Sequence, residues 1–507
     1  MGACCALLNI AIIHLGTVVA RVPYIAAAIA TCFITIPIAY LALRGFGFQV
    51  GTAPHPAEFV RFLVQQFAQF LIGLVLLILG VEWLHLHPTA SMAAATGLLW
   101  VFAFLSQWLW VFRDGRTSTA ARPGADITRS DEGTQLVVVT PFFPAHGGGL
   151  ERVAYELVTR LAEDYRILWF SSDTDPAPDL PTAKVTCVPM RTNNTIEHVT
   201  QLPYPIWSPF SLSKLWLAIG RADAVHVHEH LYFPSIAAIL ISKLRRRPVI
   251  VTQHMGALVL PRRWMTPIYN LGAKALGALL FRLADSAVFI SANVMDYFSR
   301  KDAANTRIIF NGVDTTRFRY MHDEDRRRLR QALGLPVDSS IVLFVGRFVR
   351  KKGIHRIMEL ARRVPEATFL FIGAGPESPD NTAPNVVVSG RVEHDRLADY
   401  YRASDLLILP SSGEGFPLVV QEALCCGTAV LSTTEVATAC PDATHLIRHR
   451  QVPRDDANNE DWVSALTDTL GDRRYLDDRA QRASFALSLW SWKKCAAKYS
   501  DLIHQIT

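Results

Sequence analysis

The chain has 507 residues, with 51 Lys and Arg against 45 Asp and Glu, a formal net charge of +6 and a sequence pI near 8.9. Such a length predicts about three domains; the mild basic excess suits anionic lipid or phosphorylated ligands and, with no nucleic-acid motif in the chain, excludes a nucleic-acid partner. The 8 cysteines contain no CxxC and include the adjacent pairs Cys4–Cys5 and Cys425–Cys426, which excludes a disulfide scaffold and reads as reduced thiols in a cytosolic protein.

Residues 1–112 carry only Arg21, Arg44, Glu58, Arg61 and Glu82 as charged side chains. This part supplies most of the positive mean hydropathy of +0.19. Four apolar runs, at roughly 3–20, 22–43, 62–84 and 89–112, are each long enough to cross ~30 Å of hydrocarbon at ~1.5 Å per residue. A cleaved signal peptide would be one shorter run. The opening MGACCA lacks the Ser or Thr of a myristoylation signal. Arg44, Arg61, Arg113 and Arg116 fall on one side of the runs and Arg21 on the other, so the positive-inside rule places both flanks in the cytoplasm. Gln65, Gln66, Gln69 and Gln107 either hold helices together or face a lipid head group.

The second run ends Tyr40, Arg44, Phe48 and the fourth ends Phe104, Trp108, Phe112, each at i, i+4, i+8 along one helical face. Aromatic belts are common at such depths. The two hairpins ending alike, the second as SQWLWVFR, resemble the GtrA family of four-helix membrane proteins linked to polyprenyl-phosphate sugars and cell-surface polysaccharides. That resemblance implies an all-α transmembrane four-helix domain over 1–113.

Residues 114–133 have the Ser, Thr, Gly and Pro content of a linker. Strands are then expected at 136–140, 166–171, 224–228, 249–252, 286–290 and 306–309, with helices between them. A second series begins at Ser340, with strands at 341–345, 368–372, 386–389, 406–410 and 429–432. Alternating strands and helices predict two α/β, Rossmann-like domains with parallel sheets, 134–335 and 336–487. Any ligand cleft then lies at the carboxyl ends of the strands.

Glycines 147–149 open a helix near Leu150, and a helix start of this kind offers free amides to an anion. The first strand of the second series runs into FVGRFVRKKGIHRI. Arg347, Lys351 and Lys352 stand there just before a helix opening at Gly353, where the dipole disfavours cations unless an anion binds between them. The fourth strand runs into SSGEGFPLVVQEALCCG, with Glu414 in a glycine-rich turn and Glu422 in the next helix.

This pair of segments strongly resembles the retaining GT-B glycosyltransferases of family four, and GGGLERVAYELVTRLA, DAVHVHEH, VTQHMG, IFNGVDTTRF and VVVSGRVEHDRLADYYRASDLLILPS agree in order. The resemblance covers about residues 135–507 and implies a hexosyltransferase. By it, Glu422 holds the donor ribose, and Glu414 with the backbone of Gly415 and Phe416 holds the donor sugar. Arg347 and Lys352 neutralise the departing nucleotide, Gly148 and Gly149 approach its diphosphate, and His254 faces the reacting sugar. No metal or other cofactor is implied, the nucleotide-diphosphate sugar being a substrate. The segment 488–507, with WSWKKCAAKYSDLI, resembles the helix that crosses back to the first domain of that fold.

Two further patterns leave alternatives open. His226, His228 and His230 alternate as on one strand face, a zinc-like spacing that the family also has without metal. Asp173-Thr-Asp175 is either a turn or the metal signature of a different glycosyltransferase fold. On the acceptor side, 258–283 combines Arg262, Arg263 and Trp264 with an apolar helix, which either rests on the bilayer or packs on the sheet. Together these readings predict a multi-pass inner-membrane enzyme with a cytoplasmic catalytic part. It would use a nucleotide-diphosphate sugar and a polyprenyl-phosphate or lipid-linked glycan acceptor. The alternative is a polyprenyl-phosphate-sugar translocase whose cytosolic part only binds ligand.

Overall fold

The computed structural model describes residues 59–68, 72, 133–194, 197, 204–257, 265–298, 303–380, 383–452 and 459–507. The four apolar runs expected to span a membrane lie almost wholly outside the described residues; the stretch 59–68 is helical. Among the described residues, no helix is long and apolar enough to cross a membrane.

The apolar runs that follow the linker form two parallel sheets. The first contains β1 (Gln135–Val139), β2 (Arg166–Ser172), β3 (Val185–Met190), β4 (Ala224–His228), β5 (Val249–Gln253), β6 (Ser286–Phe289) and β7 (Thr306–Ile308), in the order β3-β2-β1-β4-β5-β6-β7. The second contains β8 (Ile341–Val345), β9 (Thr368–Ile372), β10 (Val386–Gly390), β11 (Leu406–Leu409), β12 (Ala429–Thr433) and β13 (Ile447–Arg450), in the order β10-β9-β8-β11-β12-β13. β1, β8 and β11 are buried at every position, as expected of parallel strands covered on both faces. In each sheet the order reverses beside the first strand, between β1 and β4 and between β8 and β11. Such reversal points open a crevice at the carboxyl ends of the strands.

Two strands of these parallel sheets were not expected from the sequence, nor was the short pair Thr192–Asn193 and Ile206–Trp207. β3, VTCVPM, and β13, IRHR, are the outer strands of their sheets. An outer strand tolerates Pro189 and alternating cations because one side needs no ladder partner.

Five helices position the site: α1 (Gly149–Leu161), α2 (Ile354–Arg363), α3 (His394–Ala403), α4 (Leu418–Cys425) and α5 (Trp492–Ile506). Val153, Leu157 and Leu161 recur every four residues along α1 and enter one core with Trp492, Cys495, Tyr499 and Ile503 of α5. The Tyr499 hydroxyl also bonds Thr252 Oγ1 at 2.9 Å, at the end of β5. The helix 492–506 is therefore a layer of the first sheet domain, although it follows the second in sequence. Residues 127–206 and 214–507 form one compact unit.

Candidate active site

The loops after β8 and β11 are neighbours because their strands pair, with Leu343 beside Leu407. The loop after β8 makes one 3₁₀ turn, Arg350–Lys352, and ends at Gly353 with φ 75° before α2 begins. A Cβ at Gly353 would lie 2.7 Å from the carbonyl oxygen of Pro410, so only glycine lets the two loops touch. Across this contact Ser412 N donates to Lys351 O at 3.1 Å. Lys352 Nζ meets Glu414 Oε1 at 2.7 Å, with both side chains largely buried. Loss of hydration, together with Lys352 and Arg347, lowers the Lys351 ammonium from its ordinary value, and Glu414 opposes the shift. Arg347 is exposed on the same loop, and among the described residues it pairs with neither glutamate.

Gly415 brings this loop against the first domain. A Cβ there would meet the carbonyl oxygen of His254 at 2.5 Å. The Phe416 side chain turns away into the core, 5.4 Å from the Trp490 ring and 6.1 Å from Phe310, which leaves its backbone at the cleft. His254, just beyond β5, is buried; burial pushes its imidazole down to about 4, and Glu229 opposes that shift. Its Nε2 lies 3.0 Å from His228 Nδ1.

Glu422 sits in α4 with both carboxylate oxygens engaged. Tyr401 OH donates to Oε2 at 2.9 Å and His394 Nε2 bonds Oε1 at 3.1 Å. Burial, reinforced by the Glu422 charge, holds the Tyr401 hydroxyl far above its ordinary value, so it stays a donor. His394 Nδ1 lies 2.9 Å from Arg152 Nη2 and 3.2 Å from Arg317 Nη1. Arg152 is on α1, in the turn that follows Gly148 and Gly149. The start of α1 and the Glu422 carboxylate are thereby joined through one imidazole.

Gly148 is the residue preceding α1, and a Cβ there would meet the Glu151 side chain, with Oε2 at 2.0 Å, and would push that carboxylate aside. Glu151, third in the helix, folds back over the helix start, and burial raises its carboxyl from the ordinary range. The anion position expected at this helix start thus already faces a carboxylate of the chain. Gly149 has open space around it.

The alternating histidines separate. β4 ends at His228, so His230 belongs to the following loop and not to the strand face expected of it. His226 bonds Thr252, His228 bonds His254, and His230 bonds Gln253 and the carbonyl of Ala273. Burial pushes the His226 imidazole down to about 3. Among the described residues no group of three His, Cys, Asp or Glu is placed to hold a metal ion. Asp173 and Asp175 behave as turn residues: Asp173 Oδ1 accepts from Thr192 N at 3.0 Å, and Asp175 Oδ2 lies 3.2 Å from His146 Nδ1.

Sequence reading missed Glu229. It is fully buried with φ 65°, a backbone conformation uncommon outside glycine, and its carboxylate accepts from Gln253 Nε2 and from the amides of His254 and Met255. It fixes the backbone that presents His254. The available signal was an acid immediately beyond the strand AVHVH. Arg152, His394 and Tyr401 stood inside recognised segments without being assigned a role.

The chain matches the families described as Glycosyl transferases group 1 over residues 325–483, Glycosyltransferase Family 4 over 147–317, and GtrA/DPMS, transmembrane domain, over 1–112. It is 29% identical over 209 residues, 41% of this chain and 52% of the relative, to TuaC of Bacillus subtilis, a protein assigned as a teichuronic acid biosynthesis glycosyltransferase. The chain spans about half the length of the curated relatives it matches. The fold is similar to that of sucrose-phosphate synthase from Thermosynechococcus elongatus, with a TM-score of 0.58 at 19% identity, covering 73% of this chain and 98% of that one. It is likewise similar to Anabaena HepE in complex with UDP, with a TM-score of 0.55 at 15% identity, covering 73% of this chain and 100% of that one. The chain is therefore a GT-B protein that joins a Glycosyltransferase Family 4 segment and a Glycosyl transferases group 1 segment to a GtrA/DPMS transmembrane domain.

Proposed function

We propose that the protein is a membrane-anchored retaining glycosyltransferase. It moves a sugar from a nucleotide-diphosphate donor to a lipid-linked or cell-surface glycan acceptor at the cytoplasmic face of the inner membrane. The observation that carries this reading is the meeting of Lys352, Glu414 and Gly415 at the paired ends of β8 and β11, with His254 opposite. The GtrA/DPMS segment supports anchoring, and the likeness to a UDP complex supports a nucleotide donor.

In this reading the donor ribose takes the place beside Glu422, whose two oxygens are already oriented by Tyr401 and His394. Ionised acceptors hold polyol hydroxyls well. The diphosphate lies against Arg347 and Lys352, and the sugar against Glu414 and the backbone of Gly415 and Phe416. The bond between the anomeric carbon and the diphosphate oxygen breaks. The acceptor hydroxyl attacks from the same face and its proton passes to the departing phosphate. Cations already in place stabilise the charge that builds on the leaving group, which needs no metal and no covalent enzyme intermediate. His254, held neutral by burial, contributes a hydrogen bond and no charge.

The test is transfer by the purified protein in lipid, screening UDP- and GDP-sugars with polyprenyl-phosphate and lipid-linked glycan acceptors, with EDTA present in one arm. Transfer from one donor, unchanged by EDTA and abolished in Glu422→Ala, is the expected result. The GtrA/DPMS match favours a second reading, a polyprenyl-phosphate-sugar translocase whose cytosolic part only binds ligand. Donor binding with no turnover on any acceptor would favour it.

A further inference from the structure

Eight large apolar side chains are exposed among the described residues from 133 onward, and seven of them lie between 206 and 279. Scattered exposed leucines are ordinary, but a concentration in one stretch of chain marks an interaction surface. The charge of this stretch is also lopsided: its two acids are Glu229, which is fully buried, and Asp223, which accepts from Gln135 N at 2.8 Å. Residues 231–284 contain no Asp or Glu and eight Lys or Arg.

Two helices bring these features together. Pro209–Arg221 exposes Trp216 and Leu217 at 38% and 53%, and Phe233–Leu244 exposes Leu240 and Leu244 at 44% and 71%. Leu240 and Leu244 are one turn apart and share a face. The helices meet where the Arg245 guanidinium lies over the Trp216 ring, 5.2 Å from its centre, and where Arg247 Nη2 donates to Gly220 O at 2.7 Å. Arg245 and Arg246 are exposed beside Leu244. Lys243 is paired with Asp285 at 2.7 Å.

We propose that this face rests on an anionic lipid surface. Leucines enter the acyl boundary, Trp216 sits at head-group depth, and Arg245 and Arg246 meet lipid phosphates. Charge chooses the occupant: the face offers cations and apolar area, and the cytoplasmic leaflet offers anions over hydrocarbon. The GtrA/DPMS segment of the same chain brings a bilayer within reach. The inference deepens the membrane part of the proposed function and rests on it, but it does not depend on which sugar is moved.

The test uses the full chain in nanodiscs of phosphatidylcholine, with or without phosphatidylglycerol, each carrying a trace of phosphatidylglycerol with a photoreactive acyl chain. Adducts on peptides covering 214–221 and 240–246, enriched in the anionic discs and reduced by high salt, are expected. The double variant Leu240→Glu, Leu244→Glu should lower these adducts at least about fivefold, the equivalent of one surface cation's attraction. Its donor hydrolysis and melting temperature should stay unchanged while transfer to a lipid acceptor falls. Adducts confined to residues 1–112, equal in both discs, would overturn the proposal. So would a self-associated species in detergent that the double variant dissolves, because the face would then belong to a second copy. Loss of donor hydrolysis in the unaltered protein would instead count against the transferase reading and leave the lipid adducts to be judged separately.

Discussion

Arg152 and His394 stand 242 residues apart in sequence and 2.9 Å apart in space, Nη2 against Nδ1. A guanidinium has only donors, so His394 Nδ1 accepts and its proton resides on Nε2. That N–H then donates to Glu422 Oε1 at 3.1 Å. A residue of the first sheet domain therefore fixes the tautomer of a histidine in the second, and through it the aim of the proposed ribose carboxylate.

If this relay orients Glu422, Arg152→Ala and His394→Ala should each raise the donor Kd about tenfold, the loss expected for one hydrogen bond to a charged group. Isothermal titration with the nucleotide diphosphate reads it directly. His394→Gln keeps an N–H donor and should recover part of the loss. Wild-type donor affinity in His394→Ala would show that Tyr401 alone suffices.

The Lys352–Glu414 contact carries a different expectation. Lys352 is placed for the leaving group, so Lys352→Ala should lower kcat by roughly 10²–10³, the cost of removing one preorganised stabilising group. Lys352→Arg should not restore it fully, since a planar fork does not reproduce a point charge in a fitted pocket. Single-turnover kinetics would separate this chemical effect from product release. An unchanged chemical step would remove Lys352 from the mechanism.

Gly415→Ala tests the close approach of the two sheet domains. Its Cβ would sit 2.5 Å from the His254 carbonyl oxygen, and backbone must shift to admit it. Misplacing the sugar-facing loop by a fraction of an ångström should cost about 100-fold in kcat/KM. Gly471→Ala, at a position with open space, serves as the control and should be neutral.

The buried histidines set an acid limit on stability. Burial holds His226 near 3 and His254 near 4, and also pushes His228 well down, against an ordinary imidazole value of about 6.5. The unfolded chain binds these protons at a higher pH than the folded chain does. Stability should therefore be full above pH 6.5 and fall as pH drops towards 4, at ~1.4 kcal/mol per pH unit for each group that protonates only on unfolding. Melting curves between pH 7.5 and 4.5 would show it, and His226→Gln should flatten the slope. A melting temperature independent of pH over that interval would contradict the neutral assignment.

The sheet domains were legible because central strands such as β8 and β11 are unbroken apolar runs, and because Gly353 and Glu414 stand in the loops beyond strand ends, where a parallel sheet opens its crevice. The outer strands β3 and β13 were not, since an outer strand carries Pro189 or Arg448 without penalty. Glu414 and Glu422 could be picked out within one short segment. Arg152 and His394 could not be joined, because neither has local spacing that announces a partner in the other domain. Glu229 was hidden for a related reason: its function is to receive backbone amides, and sequence carries no record of which amides those are.

The helix 492–506 has a consequence for how the chain is made. Trp492, Cys495, Tyr499 and Ile503 complete a core whose other members begin at Leu136. During synthesis, the ribosome releases the whole second sheet domain before it delivers this layer. Until then the nascent first sheet domain has the apolar flank of α1 formed by Val153, Leu157 and Leu161 without its α5 partners. A stop codon just before Trp492 would not simply trim an end; it would leave the first sheet domain permanently unfinished.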